Sequence, residues 1–417
     1  MRALEGNRLA ALLLCVTSLL TLGGCAPVII REPSVAHVGE SGGSAETIRT
    51  LGADRQFAEL PIASVAERAQ RLRQEEPFSI LALSGGGADG AFGAGALVGL
   101  AQSGSLPQFS VVTGVSAGAL IAPYAFLGAE WNRQLTDAYT SGRAEHLLQP
   151  NRFGVLFGSS AYRGSPLAQL VDHYLTDALL QAVAREAASG RLLLVATTNV
   201  DTGEIVVWDL GSIAMNGGDH AKALFRDVLI ASASVPGLFP PVIIRVQEHG
   251  ALIIEAHVDG TAAAPFLVPA ALTRPPGQHE PVPRPTAVYV IVDGRLSEEP
   301  LSVQLRFRSI LSRSISVGLT HMMRTSLELT ATSAELEGAQ FEYSAIPVAY
   351  PNPAPFDFRT ATMRSLFQYG LDCAQTGHLW ISSQRAAGEN VDRGDDGSNH
   401  RFGCPADDGF IGRFAVR

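Results

Sequence analysis

The sequence predicts an α/β fold in which a mainly parallel sheet is sandwiched by helices in three layers, followed by a helical and irregular C-terminal extension. Short, uniformly apolar segments alternate with helical segments rich in alanine, glycine and leucine, the pattern of a parallel sheet covered on both faces. The chain has 417 residues, of which 46% are hydrophobic and 17% charged, so it can bury a large core.

The predicted elements follow one another from residue 78. Strand patterns lie at 78–84, 109–114, 191–199, 204–210, 251–260 and 287–294. Helical patterns lie at 91–104, directly after residue 116, and at 221–234, 301–336 and 360–377. A Pro-rich loop at 273–285 separates the last two strands. We expect the main domain at 76–300 and the extension at 301–417.

The N-terminus predicts export. Two arginines precede an apolar run at 9–22, which is too short for a comfortable membrane span and suits a secretory signal at 1–24. The run ends in Leu22-Gly23-Gly24-Cys25, which resembles a bacterial lipobox and implies a lipid on Cys25. The alternative is an ordinary signal peptide with a chance cysteine.

Ala26, which follows this cysteine, favours the outer membrane over the inner one by analogy with other lipoproteins. We therefore expect a protein of the bacterial cell envelope that is anchored by its lipid and faces the periplasm. Residues 25–75 are expected to form a tether and, at 62–74, a short amphipathic lead-in helix.

Charge and cysteine content exclude other classes of protein. The net charge of −9 argues against a nucleic-acid partner. The chain has a single lysine, Lys222, which excludes a Walker A lysine and leaves one candidate for a Ser–Lys pair. After export and lipidation only Cys373 and Cys404 remain as thiols, so we expect a disulfide between them; two unpaired cysteines are the alternative.

A serine between glycines marks the first candidate site. The segment Gly114-Val115-Ser116-Ala117-Gly118 follows a strand and precedes an apolar helix. It fits the G-x-S-x-G nucleophile elbow, in which a sharp turn presents the serine hydroxyl at the top of the sheet. A tight turn with a helix-capping serine is the structural alternative.

A second glycine motif lies at the end of the preceding strand. Gly85-Gly86-Gly87-Ala88-Asp89-Gly90 formally matches a dinucleotide loop, but no acidic residue occurs between Ala91 and Ala129 to hold a ribose. Backbone N–H groups of such a loop can instead stabilise the oxyanion of an ester attack, assisted by the helix N-terminus. Both loops follow successive parallel strands, so we expect them to face one another.

The serine needs a group that accepts its proton. Asp259-Gly260 ends a predicted strand, and a carboxylate there is expected at the same edge of the sheet. The alternatives are a plain Asp-Gly turn, which recurs at Asp293-Gly294, and a histidine base at His257, two residues earlier on the same strand.

Taken in order, the glycine loop, the elbow, "ASASVPGLFPPV" at 231–242 and "VDG" at 258–260 resemble the patatin-like phospholipase family. The resemblance covers about residues 78–295. It implies a Ser–Asp dyad without histidine, with Ser116 as nucleophile and Asp259 as general base, acting on acyl esters of lipids without metal or cofactor. It further implies an oxyanion hole around Gly85, Gly86 and Gly87, with motif support from Gly90, Gly114, Gly118 and Gly260.

Two residues depart from the family pattern: Asp89 stands where a basic residue is usual, and Thr261 follows Asp259-Gly260. The sequence leaves two other functions open, an acyltransferase or thioesterase on the same fold and a non-catalytic envelope lipoprotein. Arg306, Arg308, Arg313 and Arg324 lie in an acid-free stretch, which is either a solvated helix face or a surface for anionic lipid.

Overall fold

A computed structural model of the chain describes residues 47–51, 57–60, 71–72, 78–151, 159–248, 251–269, 286–298, 300, 302–351, 355–382 and 403–407. The signal at 1–24, Cys25 and the Pro-rich loop at 273–285 lie outside the described residues, as does the predicted lead-in helix apart from Arg71 and Leu72. Within the described part of the chain, no helix is both long and apolar enough to cross a membrane.

The strands are β1 (Thr47–Leu51), β2 (Phe57–Leu60), β3 (Ser79–Leu83), β4 (Val111–Val115), β5 (Leu192–Asn199), β6 (Ile205–Asp209), β7 (Val242–Glu248), β8 (Ala251–Asp259), β9 (Ala287–Val292), β10 (Gln340–Ala345) and β11 (Ile381–Ser382). The helices are α1 (Gly90–Gln102), α2 (Ala117–Leu127), α3 (Asn132–Thr140), α4 (Ser165–Tyr174), α5 (Asp177–Ala188), α6 (Leu210–Asn216), α7 (Gly218–Ser232), α8 (Phe307–Leu336) and α9 (Thr360–Gln375).

The strands form one sheet in the order β11-β10-β9-β3-β4-β5-β6-β1-β2. Neighbours from β10 through β5 are parallel, and the antiparallel pairs lie at the margins. The β7–β8 hairpin joins the sheet through an antiparallel contact between β8 and β5. The predicted three-layer α/β fold with a mainly parallel centre is confirmed.

Apolar side chains at alternate positions of the strands pack into two separate cores, one on each face of the sheet. On β3, Leu81 and Leu83 belong to the core beneath the helices that follow β3, β4 and β6, whereas Ile80 and Ala82 belong to the core beneath α8. Because the sheet is covered on both faces, its central strands are apolar at nearly every position.

The chain leaves β3 and β9 in opposite directions. From β3 it passes through α1 to β4, and from β9 it passes through α8 to β10 on the other side of β3. Right-handed crossovers in opposite directions place the two helices on opposite faces and open a crevice at the carboxyl ends of the strands between them. That crevice contains the glycine loop.

The segments outside the predicted main domain also contribute to the sheet. Strand β1, which lies in the segment expected to be a tether, pairs with β6 of the main domain. Strand β10 pairs with β9, although the predicted boundary at residue 300 assigns the two strands to different regions. In the extension, Cys373 on α9 and Cys404 are joined by a disulfide. The pairing expected for the two remaining thiols is therefore present in the structure.

Helices α1 and α9 cross at very close range. A Cβ atom added to Gly95 of α1 would lie 1.9 Å from the carbonyl oxygen of Phe367, and one added to Gly370 of α9 would lie 2.3 Å from that of Phe92. These glycines therefore let the backbones touch, and the contact holds the N-terminal end of α1 beside the glycine loop.

We expect Gly95→Ala to lower the free energy of unfolding by about 2–3 kcal/mol, because the added methyl group must push two helix backbones apart. Gly318→Ala is the matched control: nothing lies within 4 Å of its Cβ position on α8, so the same change is expected to be neutral or to stabilise by up to about 1 kcal/mol. Urea unfolding monitored by circular dichroism measures both. Equal effects of the two substitutions would contradict the close crossing.

Candidate active site

Ser116 lies on the sharp turn between β4 and α2. Its backbone has φ 55° and ψ −121°, and it is the only non-glycine residue with positive φ in the part of the chain that the structure describes. Such a conformation costs about 1–3 kcal/mol and persists only where the surroundings impose it. The turn holds the side chain at the carboxyl end of β4, where it is 5% exposed.

The two glycines of the elbow are required by close backbone contacts. A Cβ atom at Gly114 would lie 2.5 Å from the carbonyl oxygen of Gly118, and one at Gly118 would lie 2.4 Å from that of Leu83. The Gly118 N–H donates to the carbonyl oxygen of Ser84, 3.0 Å away. The elbow is thereby fastened to the start of the glycine loop, as the parallel pairing of β3 and β4 predicts.

Two N–H groups of the glycine loop have no acceptor among the described residues. Gly86 and Gly87 donate no hydrogen bond within the described part of the chain, whereas the N–H of Gly85 donates to the carbonyl oxygen of Pro265 at 3.0 Å. The expectation of donors around all three glycines is therefore corrected for Gly85. Its contribution is the lack of a side chain, since a Cβ there would lie 3.1 Å from the Cβ of Ser116.

The other motif glycines also mark close approaches. Gly87 has φ +59°, and a Cβ on it would lie 2.3 Å from the carbonyl oxygen of Pro355. A Cβ at Gly90 would meet the Ala117 Cβ at 3.0 Å, and one at Gly260 would meet the carbonyl oxygen of Ala196 at 2.6 Å. A side chain at any of these positions would displace the elbow, the loop or the end of β8.

Asp259 lies against the serine at the end of β8. The Ser116 hydroxyl donates to Asp259 Oδ2 at 2.5 Å, and the Thr261 N–H donates to Oδ1 at 2.8 Å. The carboxyl group is 1% exposed, and this burial raises the pKa of Asp259 to about 6, against the opposing effect of the hydrogen bonds from Ser116 and Thr261. The carboxyl group is thus placed to accept the serine proton near neutral pH.

The register of β5 brings these two residues together. Along β5, Ala196 pairs with Val115 of β4, and the next residue, Thr197, pairs with Asp259 of β8. Because β8 runs antiparallel to β5, the ends of β4 and β8 meet head to head. Asp259 therefore reaches the site from the opposite direction to that expected for a parallel strand.

His257 takes part in a different, fully buried network. Its Nδ1 lies 2.9 Å from Thr197 Oγ1, and its Nε2 lies 3.0 Å from Glu255 Oε2. The indole N–H of Trp208 donates to the same Thr197 hydroxyl at 2.8 Å. The ring thus links β8, β5 and β6, and the serine hydroxyl donates to Asp259 instead.

Residues 81–272 match a known protein family. The model of the family described as patatin-like phospholipase matches residues 81–272, which include the glycine loop, the elbow and Asp259. Residues 81–272 form a patatin-like phospholipase domain. The predicted resemblance is confirmed, and the family supports lipid acyl hydrolase activity in a broad sense.

No curated protein matches the sequence. The patatin-like domain and its flanks are similar to the crystal structure of VipD from Legionella pneumophila, with 12% identity over 81% of this chain and 73% of that chain and a TM-score of 0.29. That similarity is too low to support an inference about function.

An apolar cavity of about 100 Å³ extends from Ser116 of the patatin-like domain. Most of its wall is aliphatic or aromatic and comes from α2, α4, α7 and the segment after residue 355, including Leu120, Leu170, Leu175, Leu229, Phe239, Phe356, Phe358 and Met363. The sequence motifs did not reveal this cavity, because its lining residues are spread over more than two hundred positions. Its composition suits a hydrocarbon chain.

Two further carboxyl groups are buried at the glycine loop, one within the loop and one beside it. Asp293 follows β9 and accepts the Gly93 N–H of α1 at 2.8 Å, and Asp89 lies at the N-terminal end of the same helix. Burial, with the nearby charge of Asp89, raises the pKa of Asp293 well above its usual range. Asp293-Gly294, where the sequence pattern indicates a plain turn, thus packs against the loop.

Serines of the "ASAS" segment support the dyad, which sequence reasoning did not predict. The Ser116 N–H donates to Ser232 Oγ at 3.0 Å, and the Asp259 N–H donates to the carbonyl oxygen of Ser234 at 2.9 Å. No group of three or more His, Cys, Asp or Glu side chains suited to a metal occurs among the residues that the structure describes.

The raised pKa of Asp259 predicts the pH dependence of activity. A general base acts only when it is ionised, so kcat/KM for ester hydrolysis is expected to rise about tenfold per pH unit below pH 6 and to level off above it. A pH–rate profile with a soluble ester measures this. A profile that stays flat from pH 4 to pH 8 would contradict a base at Asp259.

The pH dependence of the free energy of unfolding is an independent check on the raised pKa of Asp259. The folded pKa lies above the unfolded value of about 3.9, so ionising Asp259 costs the native state about 2–3 kcal/mol, a cost that develops as pH rises from about 4 through 6. Asp259→Asn carries no such charge. The variant is therefore expected to gain stability relative to the wild type as pH rises through this range.

Proposed function

We propose that the protein is a serine acyl hydrolase that cleaves fatty-acyl esters of lipids through a Ser116–Asp259 dyad. The single observation that carries the proposal is the hydrogen bond from the Ser116 hydroxyl to Asp259 Oδ2, made where an apolar cavity begins. The membership of residues 81–272 in the patatin-like phospholipase family supports the substrate class.

In the first half of the reaction, Asp259 accepts the Ser116 proton while Oγ attacks the ester carbonyl carbon. The carbonyl oxygen becomes an oxyanion, which the N–H groups of Gly86 and Gly87 stabilise together with the N-terminal end of α1. The bond to the leaving alcohol then breaks, and Asp259 returns its proton to that alcohol. The acyl group is left on Ser116 with its chain in the cavity.

In the second half, water replaces the alcohol. Asp259 takes a proton from the water, whose oxygen attacks the acyl carbonyl through the same oxyanion arrangement. The ester bond to Ser116 breaks, and the proton on Asp259 passes to the serine oxygen. A fatty acid leaves, and the dyad is restored.

We expect Ser116→Ala and Asp259→Asn each to reduce kcat for a soluble p-nitrophenyl ester by about 10³-fold or more, since one removes the nucleophile and the other the proton acceptor. His257→Gln is the control: glutamine can keep hydrogen bonds to Thr197 and Glu255 but cannot act as a base, so this variant is expected to keep most of kcat. Thermal unfolding checks that each variant is folded.

Near-wild-type hydrolysis by folded Ser116→Ala would refute the nucleophile. If His257→Gln were inactive and Asp259→Asn active, the base would be the histidine. Transfer of the acyl group to an added alcohol in preference to water would instead make the protein an acyltransferase.

We further propose that the mature protein is anchored in the bacterial cell envelope through lipid on Cys25. The support is the lipobox-like Leu22-Gly23-Gly24-Cys25 after the apolar run at 9–22. Cys25→Ser is expected to remove the protein from the membrane fraction or to leave an uncleaved precursor. Mass spectrometry of the wild type that finds an unmodified N-terminus elsewhere would contradict the anchor.

A further inference from the structure

Helix α8 is much longer than the sheet beside which it packs. Its 30 residues, Phe307–Leu336, extend about 45 Å, whereas a strand of six residues such as β9 extends about 20 Å. The helix returns the chain from β9 to the parallel neighbouring strand β10, so it must run antiparallel to them. One end of the helix therefore projects beyond the sheet.

The burial pattern shows which end projects. The residues of α8 that are buried against the sheet are Met323, Leu327, Ala331 and Ala334, all in its C-terminal half. No side chain that the structure describes between 307 and 322 is buried. We call this exposed half, residues 307–322, the arm.

The arm projects from the edge of the sheet that contains the dyad. Helix α8 ends at Leu336, four residues before Gln340. Gln340 pairs with Ala287 at the start of β9, so the C-terminal end of α8 lies near the amino end of that strand. The other end of α8 therefore lies toward the carboxyl end of β9, where Asp293 packs against the glycine loop. Glu298, soon after β9, accepts hydrogen bonds from Ser316 and Thr320, which fixes the middle of the helix at this edge.

The arm carries an apolar stripe. Phe307, Leu311, Ile315 and Leu319 are spaced four residues apart, so they follow one side of the helix, and all are exposed. Leu305, just before the helix, is 91% exposed. Phe356 in the wall of the cavity is exposed as well, so apolar side chains are presented both on the arm and at the cavity that contains Ser116.

The charge of this segment is opposite to that of the chain. Residues 301–327 include four arginines and no acidic residue, in a protein whose net charge is −9. Arg306 is exposed beside the stripe. Arg313 forms an ion pair with Glu298 and so neutralises the negative charge of that nearby carboxylate. Exposed apolar residues flanked by arginine are typical of helices that lie in the interface of an anionic membrane.

We propose that the arm docks the enzyme on a membrane surface that contains anionic phospholipid, with its apolar stripe in the interface and the cavity at Ser116 facing the lipid. The choice of a lipid surface rests on the proposed function, since a lipid ester must reach the cavity from a membrane. The arm is far in sequence from Cys25, where we propose the lipid anchor, and its contact with the membrane would orient the sheet edge that contains the dyad toward the lipid.

The first experiment measures the depth of the arm directly and needs no activity. The full chain carrying Ile315→Cys is labelled with the environment-sensitive fluorophore NBD and reconstituted in vesicles of phosphatidylcholine mixed equally with phosphatidylglycerol. Met215→Cys, an exposed position on α6 at the opposite edge of the sheet, is the matched control. The wild-type chain is treated with the same label, and its fluorescence is subtracted to correct for labelling of native cysteines.

We expect a blue shift and quenching by nitroxide lipids at position 315 and neither at position 215. The effect is expected to weaken in vesicles of phosphatidylcholine alone, because the arginines lose their counter-charge. Solvent-exposed spectra at both positions would overturn the proposal. So would shielding of position 315 before vesicles are added, which would identify another copy or segment of the chain as the partner.

The second experiment separates docking from chemistry. Leu311→Glu combined with Ile315→Glu is expected to lower hydrolysis of a vesicle-embedded ester by about tenfold or more while hydrolysis of a soluble ester is unchanged. Leu329→Glu, an exposed leucine on the buried half of the same helix, is expected to lower neither. If both variants lost hydrolysis of the vesicle-embedded ester equally, or the double variant lost none, the docking role of the arm would be refuted. A wild type without any ester hydrolysis would refute the proposed function and leave the depth measurement to decide the docking.

Discussion

The candidate site depends on a single meeting of strands along β5. Val115 at the end of β4 pairs with Ala196, and Asp259 at the end of β8 pairs with the adjacent Thr197. Since β8 arrives from the opposite direction, the two strand ends face each other, and the turn at Ser116 directs the hydroxyl to the carboxyl group. A shift of β8 by one residue would turn Asp259 to the other face of the sheet.

Several contacts hold this register. The network of His257, Thr197 and Trp208 joins the three neighbouring strands behind the dyad, and Gly260 allows β8 to end against the backbone of β5. Ser232 and Ser234 hold the backbones of the two dyad residues from the end of α7. These groups do not need to touch a substrate, because their effect on the reaction is to fix the geometry of those that do.

The same burial that makes the site reactive destabilises the fold. Asp259 is removed from water, which raises its pKa to about 6, and Asp293 is buried beside the like charge of Asp89. Ser116 has a backbone conformation that only glycine adopts easily. The large apolar cores on both faces of the sheet offset these costs, and the close crossing of α1 and α9 keeps the glycine loop in place.

Much of this arrangement could be predicted from local sequence patterns. The elbow and the glycine loop follow consecutive parallel strands, and the carboxyl ends of such strands meet at one edge, so their contact followed from the pattern alone. The role proposed for Asp259 came from the order of motifs in a family, because a strand pattern does not show the direction of the strand. The exposed half of α8 and the cavity could not be predicted, since both depend on how far distant elements overlap. Strands β1 and β2 were missed in a segment whose loose composition suggested a tether.

The central claim, that Ser116 is a nucleophile activated by Asp259, is tested most directly by covalent capture. The full chain is treated with a fluorophosphonate, and the adduct is located by intact mass and peptide mapping. Our account predicts one adduct per chain on Ser116, no adduct in Ser116→Ala, and labelling slowed by at least about tenfold in Asp259→Asn. An unlabelled wild type that still hydrolyses esters, or an adduct on another residue with Ser116 unmodified, would contradict it.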